Sequence, residues 1–184
     1  MAGRIHRVYL SALLITTQWT PAFAQSESRD IDEVKAAFVL KFVRFVEWPE
    51  GAFETPDSPL RIGIAGNRKV YDALSELAAA EADHGRKFEV IYSEDGRELG
   101  TCQIAYFGRE LAGTVTAALG RLGEASVLTI GDSDEFTSSG GVIRLYEKSR
   151  KMSMEINVSA AERAELKISS KLLELATVVR DKNA

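Results

Sequence analysis

The sequence predicts an α/β domain with a largely parallel sheet flanked by helices and a C-terminal antiparallel hairpin. Short apolar runs alternate with amphipathic helical segments, a pattern typical of a parallel sheet covered on both faces. The composition is also that of a globular chain, because 45% of its 184 residues are hydrophobic and 27% are charged. A chain of this length is expected to form a single domain.

Residues 1–24 have the features of a secretory signal peptide. They combine a basic start, an apolar stretch over residues 8–17 and the small-residue pattern Ala22-Phe23-Ala24. The apolar stretch is too short to cross a bilayer as a helix. We therefore expect cleavage after Ala24, and residues 25–184 form the predicted exported domain.

The first predicted element of the exported chain is a helix from residue 31 to about residue 47. Asp30 and Asp32 are candidate N-caps, and Trp48-Pro49 ends the helix because the residue before a proline avoids helical angles. Most of its apolar side chains fall on one arc, which predicts a buried face. Lys35 lies inside that arc. Its stem either extends past the core to solvent, or its ammonium group pairs with a carboxylate such as Glu155 or with a ligand.

The remaining predicted elements alternate along the chain. The predicted strands and helices cover, in order, a strand at 60–65, a helix at 69–80, strands at 88–92 and 103–107, a helix at 111–119, a strand at 127–130, a hairpin formed by 142–146 and 152–158, and a final helix at 170–179. In the second hairpin strand, Glu155 and Asn157 share one face, opposite Met154 and Ile156. Together with Lys35, these two residues are a candidate ligand contact or buried polar pair.

Catalytic and metal chemistry find little support in the sequence. After export the chain keeps one histidine, His84, in a polar loop, and one cysteine, Cys102, at the start of an apolar strand. A serine or cysteine nucleophile normally needs a histidine base, so we predict no enzyme activity and no cofactor. Asp132 and its acidic neighbours follow a strand that ends at the ligand-binding edge of α/β folds, but they lack the spacing of a calcium loop, and we predict no metal site. The net charge of −4 argues against nucleic acid as a partner.

Four segments resemble the YfiR-like family of periplasmic proteins. The resemblance extends over nearly the whole exported chain and is carried by residues 34–49 (VKAAFVLKFVRFVEWP), by residues 102–107, by residues 127–132 with Phe136 and Gly140-Gly141, and by residues 154–157 leading to 166–173. It implies a small α/β protein of the periplasm, with a homodimer as one possible assembly. Well-studied members use disulfides as redox controls, and the single Cys102 departs from that pattern.

The resemblance implies a regulator that binds the periplasmic sensor part of an inner-membrane signalling protein. That protein would be a diguanylate cyclase or a sensor kinase, and release of the restraint would raise cyclic di-GMP and biofilm formation. Leu40, Val43 and Trp48 lie outside the main apolar arc of the first helix, so we predict them as partner contacts. The alternative is a periplasmic module that binds a small ligand at the turns near Asn67 and Asp132.

Overall fold

The structure, a computed structural model, describes residues 30–55, 57–81, 87–123 and 125–181. The predicted signal peptide and His84 lie outside these residues. The helices and strands are α1 (Ile31–Phe42), β1 (Val46–Glu47), β2 (Leu60–Ala65), α2 (Arg68–Glu81), β3 (Phe88–Ser93), β4 (Ile104–Phe107), α3 (Val115–Leu122), β5 (Leu128–Gly131), β6 (Ile143–Lys148), β7 (Lys151–Asn157), α4 (Val158–Arg163), β8 (Lys167–Ile168), α5 (Ser170–Leu173) and β9 (Thr177–Val179).

The central sheet has seven strands in the order β3-β2-β4-β5-β6-β7-β9. Every neighbouring pair is parallel except β6 and β7, which form the antiparallel hairpin. A separate two-stranded antiparallel sheet joins β1 to β8. The predicted α/β class, the largely parallel sheet and the hairpin are thus confirmed. The strand order reverses between β2 and β4, and ligands of open α/β sheets bind at such a crossing point.

The sheet buries apolar side chains on both faces. Along β4, Ile104 and Tyr106 belong to a cluster with α1 and α2, whereas Ala105 and Phe107 belong to a second cluster with α3. Successive residues of a strand point to opposite faces, so the two clusters lie on opposite sides of the sheet. The continuous burial of β4 and β5 follows from this three-layer arrangement.

Phe136 fills the second cluster from the loop after β5 and is fully buried. Its ring lies against the backbone of Gly131 and Gly141, where an added Cβ atom would overlap the ring. Both positions therefore require glycine because of this close approach rather than for an unusual backbone angle.

The predicted first helix is too long. Helix α1 ends at Phe42, and after a turn Val46 and Glu47 pair with Ile168 and Lys167 of β8. The apolar residues after Phe42, which suggested that the helix continues, belong instead to the turn and to the strand that pairs with β8. At this point tertiary pairing outweighs local periodicity.

The predicted final helix is also wrong in its second half. Helix α5 ends at Leu173, and Thr177–Val179 forms β9 beside β7. A run of β-branched residues favours a strand, and the open edge of β7 supplies the pairing partner. The predicted helix at 111–119 begins instead as 3₁₀ helix over Arg109–Thr114, followed by α3.

Candidate functional site

Lys35 lies at the carboxyl edge of the sheet, where the ends of β2, β4 and β5 meet. Its Nζ atom donates to Asp32 Oδ1 at 3.0 Å and to Asp132 Oδ2 at 2.5 Å. Asn67, just after β2, donates its side-chain amide to the same Asp32 oxygen at 3.2 Å. The ammonium group therefore joins α1 to the end of β5, close to the point where the strand order reverses.

The charge of Lys35 is compensated within the fold. Its side chain is 13% exposed, and those of Asp32 and Asp132 are 15% and 5% exposed. Burial lowers the pKa of Lys35, but the hydrogen bonds and charges of Asp132 and then Asp32 outweigh burial, so the net pKa is raised. Of the alternatives for Lys35, pairing with a carboxylate is the one found, but the carboxylate is Asp132 and not Glu155.

Tyr106 adds a buried hydroxyl beside this ion pair. Burial first, and then the Asp132 carboxylate, raise the pKa of Tyr106, so the phenol keeps its proton. The Asp132 carboxylate acts on the Tyr106 hydroxyl both as a hydrogen-bond partner and as a charge. Among the described residues, Tyr106 Oη and Asp132 Oδ1 have no other side-chain partner, so the two groups form one buried polar pair.

Glu155 and Asn157 lie at a different place, in a crevice of about 610 Å³ between the loop after β5 and the C-terminal segment. The Thr137 hydroxyl donates to Glu155. Asn157 is 2% exposed, and its amide donates to the Thr137 carbonyl at 3.1 Å and to Asp181 Oδ1 at 2.7 Å. Its side-chain oxygen accepts from the N–H of Ala160 and so caps α4. The structure therefore separates this pair from Lys35.

The three predicted partner contacts have different environments. Leu40 is 5% exposed and belongs to the core, so it cannot contact a partner in this conformation, and that part of the expectation is corrected. Val43 and Trp48 are half-buried and pack against the same cluster. The Trp48 indole N–H donates to the Gln103 carbonyl at 3.1 Å, at the start of β4 and therefore at the opposite edge of the sheet from Lys35.

Trp48 lines a cleft of about 520 Å³, and the charged residues of this cleft are mostly acidic. Besides Trp48, Pro49 and Leu166, the lining comprises Glu47, Glu50, Glu162, Glu165 and Lys167. Gln103 supports one side of this region, because its amide group donates to the Ala52 carbonyl at 2.7 Å and its oxygen accepts from the Arg61 N–H at 2.9 Å. The role of Gln103 was missed from the sequence, since a glutamine at a strand start carries no recognisable pattern.

The remaining candidate groups show little chemical reactivity. Cys102 is 3% exposed, and burial raises its pKa to about 11, so the thiolate is disfavoured at neutral pH. Asp134 pairs with Arg144 at 2.5 Å on the surface rather than joining Asp132. In the described part of the chain, no cluster of three or more histidine, cysteine or acidic side chains has a geometry that would hold a metal ion.

The family comparison decides what kind of protein this is. The family model described as YfiR/HmsC-like matches residues 32–177. The chain belongs to the YfiR/HmsC-like family. The YfiR/HmsC-like family is a family of periplasmic regulators in diguanylate cyclase signalling. All four segments that resemble this family, from residue 34 to residue 173, lie within the matched range.

Solved structures confirm the fold of this YfiR/HmsC-like chain. A conserved domain protein from Vibrio cholerae O1 biovar eltor matches with a TM-score of 0.55 and 14% identity, over 80% of this chain and 59% of that chain. The ABC domain from Streptococcus pneumonia, solved in complex with L-Trp, matches with a TM-score of 0.55 and 11% identity, over 78% of this chain and 60% of that one. The chain thus spans about three fifths of each. Comparison with curated proteins finds no match.

Proposed function

We propose that this protein is an exported regulator that binds and restrains the periplasmic sensor part of an inner-membrane signalling protein such as a diguanylate cyclase. The observation that carries the proposal is the YfiR/HmsC-like match over residues 32–177. The high pKa of the buried Cys102 thiol agrees with a binding role rather than nucleophilic chemistry. None of the helices in the described ranges is long and apolar enough to span a membrane.

Trp48 is the proposed centre of the contact surface, and Val43, which precedes β1 and packs against the same core cluster, is a second proposed contact. A tryptophan that is half-buried and held by a hydrogen bond loses little conformational freedom on binding, and such residues dominate the energetics of protein interfaces. The acidic residues around the cleft would form the polar rim that surrounds an apolar contact. Charge on that rim would favour a sensor domain with basic residues at the matching positions.

The test is deletion of the gene followed by complementation. Deletion should change cellular cyclic di-GMP, and the native chain should restore it. Trp48→Ala should fail to restore it, with a loss of binding of about 2 kcal/mol or more if Trp48 is central. Trp48→Phe keeps an aromatic ring but removes the N–H that bonds Gln103, so it separates ring contact from the hydrogen bond.

The matched control is Tyr71→Ala, which removes a half-buried aromatic side chain on α2. Both alanine variants must unfold cooperatively in urea before the cellular result is interpreted. Restoration by folded Trp48→Ala would place the contact elsewhere on the protein. Unchanged output of every neighbouring cyclase and kinase after deletion would refute the regulator.

A second candidate is a periplasmic module that binds a small ligand. It is favoured by one observation: Asn67 and Asp132 are linked through Asp32 and Lys35 close to the crossing point of the sheet. Native mass spectrometry of protein purified from the periplasm distinguishes the candidates, since a ligand-binding module should carry a small molecule that Asp132→Asn removes. The same spectra report whether the protein forms the homodimer implied by the family resemblance.

A further inference from the structure

A groove of about 780 Å³ runs between α1 and α2 on the outer surface of the domain. The two helices are parallel, because Lys69 near the start of α2 approaches Asp30 at the start of α1, and Glu81 at the end of α2 approaches Arg44 beyond the end of α1. Their packing leaves a shallow channel along both helices. This channel shares no lining residue with the cleft at Trp48.

The floor of the groove is apolar. Val34, Ala37 and Phe38 line it from α1, and Ala73 and Leu77 line it from α2. The spacing of three or four residues places each set in one stripe along its helix. Leu77 is 36% exposed and the other four are half-buried, so these side chains remain partly in contact with solvent. A third helix with its own apolar stripe fits between two such rows.

The rim of the groove is acidic. Five carboxylates line it, against two lysines: Asp30, Asp32, Glu33, Asp72 and Glu76, with Lys41 and Lys69. Asp32 and Asp72 are engaged by Lys35 and Arg68, but Glu33 and Glu76 are exposed and form no ion pair with other residues of the described ranges. A ligand for this surface must therefore bring positive charge on both sides of an apolar face.

We propose that the groove between α1 and α2 binds a basic amphipathic helix from a partner protein. Leucine-type side chains of that helix would cover Phe38 and Leu77, and lysine or arginine side chains would reach Glu33 and Glu76. The site is additional to the Trp48 surface and does not depend on which signalling protein that surface binds.

The experiment is a binding titration of the purified protein with a synthetic helical peptide of about 18 residues, with leucine at i, i+3, i+4 and i+7 and lysine elsewhere. The reference peptide has the same composition in scrambled order, which keeps the charge but removes the apolar stripe. The native protein should bind the amphipathic peptide at least about tenfold more tightly than the scrambled one. NMR shift changes should map to α1 and α2.

Two matched pairs of variants test the two parts of the site. Leu77→Ser should weaken binding about tenfold, whereas Val178→Ser, which alters a 40% exposed side chain on β9, should leave it unchanged. Glu33→Lys with Glu76→Lys should weaken binding more than Glu94→Lys with Glu147→Lys, which makes the same change in net charge at exposed positions elsewhere.

Several results would overturn the proposal. If both peptides bind with equal affinity, or if both members of a matched pair of variants lose the same affinity, the peptide is attracted only by the net charge of the protein and the groove is not a specific site. Shift changes outside α1 and α2 would place the peptide elsewhere. A dimer in analytical ultracentrifugation that Leu77→Ser dissociates would identify a second copy of the chain as the occupant instead. Binding to anionic phosphatidylglycerol vesicles that Leu77→Ser abolishes, without peptide binding, would identify a membrane surface.

Discussion

At the scale of single residues, the ion pair of Lys35 with Asp132 is the contact with the largest expected effect. Lys35→Met removes the ammonium group and leaves two largely buried carboxylates without their partner. The free energy of unfolding should fall by about 3 kcal/mol, since breaking a buried pair from one side leaves an uncompensated charge. Urea denaturation measures this change.

A control and a rescue make this prediction specific. Lys69→Met removes a lysine that is 74% exposed and 3.8 Å from Asp30, so it should change stability by less than about 0.5 kcal/mol. Adding Asp132→Asn to Lys35→Met should recover part of the loss, because the amide needs no counter-charge. If the loss in free energy of unfolding of the double variant equals the sum of the losses of the two single variants, the two groups are not coupled.

A second residue-scale prediction concerns Cys102 and alkaline pH. Burial raises its pKa from 9.0 to about 11. Between these values the unfolded thiol has lost its proton while the folded one keeps it, so stability should fall as pH rises from about 9 to about 11. Cys102→Ala should flatten the profile over this window. The remaining fall of stability with pH comes from two other groups. The pKa of Tyr106 is raised, so its phenol also ionises more readily in the unfolded chain. Above about pH 10.5, Lys35 contributes as well, because its ion pairs are lost when it deprotonates.

The same burial predicts slow chemistry at the thiol. An aromatic disulfide reagent should label the native protein slowly and the protein in urea quickly. Rapid labelling of the native protein would show that the thiol is accessible and would contradict the buried environment.

At the scale of elements, Asn157 connects β7, α4 and the C-terminal segment. Asn157→Ala removes the cap of α4 and one of the two donors to the buried Thr137 carbonyl, which keeps only the Gly140 N–H. The expected loss is about 2–3 kcal/mol by urea denaturation. Ser169→Ala is the matched control, because Ser169 precedes α5 without a side-chain cap hydrogen bond, and it should cost less than about 0.5 kcal/mol.

Acid denaturation gives an independent check on this connection. The Asn157 amide and then Arg163 lower the pKa of Asp181 below 3.8. Its contribution to stability is therefore present above about pH 4 and is lost as pH falls through the lowered value. In Asn157→Ala, the loss of stability in acid should be smaller. An unchanged dependence of stability on pH would show that the Asn157 amide does not lower the pKa of Asp181.

The sequence predicted buried strands better than it predicted where helices end. Strand β2 was predicted with its observed bounds because the apolar run is compact and a turn follows it. Helix α1 was extended too far because Phe45 and Val46 suit a buried helix and a strand equally well, and only pairing with Ile168 decides between them. At the site, Lys35 was found as a charge on an apolar face, but its partner lies 97 residues away, a distance that local patterns do not reach.

At the scale of the whole molecule, the export prediction can be checked directly. Residues 1–24 should be absent from the protein recovered from the periplasm, because Ala22-Phe23-Ala24 supplies the small residues that signal peptidase requires. Intact-mass spectrometry should give a chain that begins at Gln25. A full-length chain in the cytoplasmic fraction would contradict both the signal peptide and the proposed encounter with a periplasmic sensor domain.

The packing of Phe136 against two glycines has a consequence for recognising distant relatives. Gly131 and Gly141 lie five residues before and five residues after the phenylalanine, and both leave room for the same ring. Substitutions at the three positions are therefore coupled, since a side chain at either glycine demands a smaller residue at the centre. The pattern glycine, four residues, phenylalanine, four residues, glycine can thus serve as a search signature where overall identity has fallen as low as the 14% shared with the Vibrio structure.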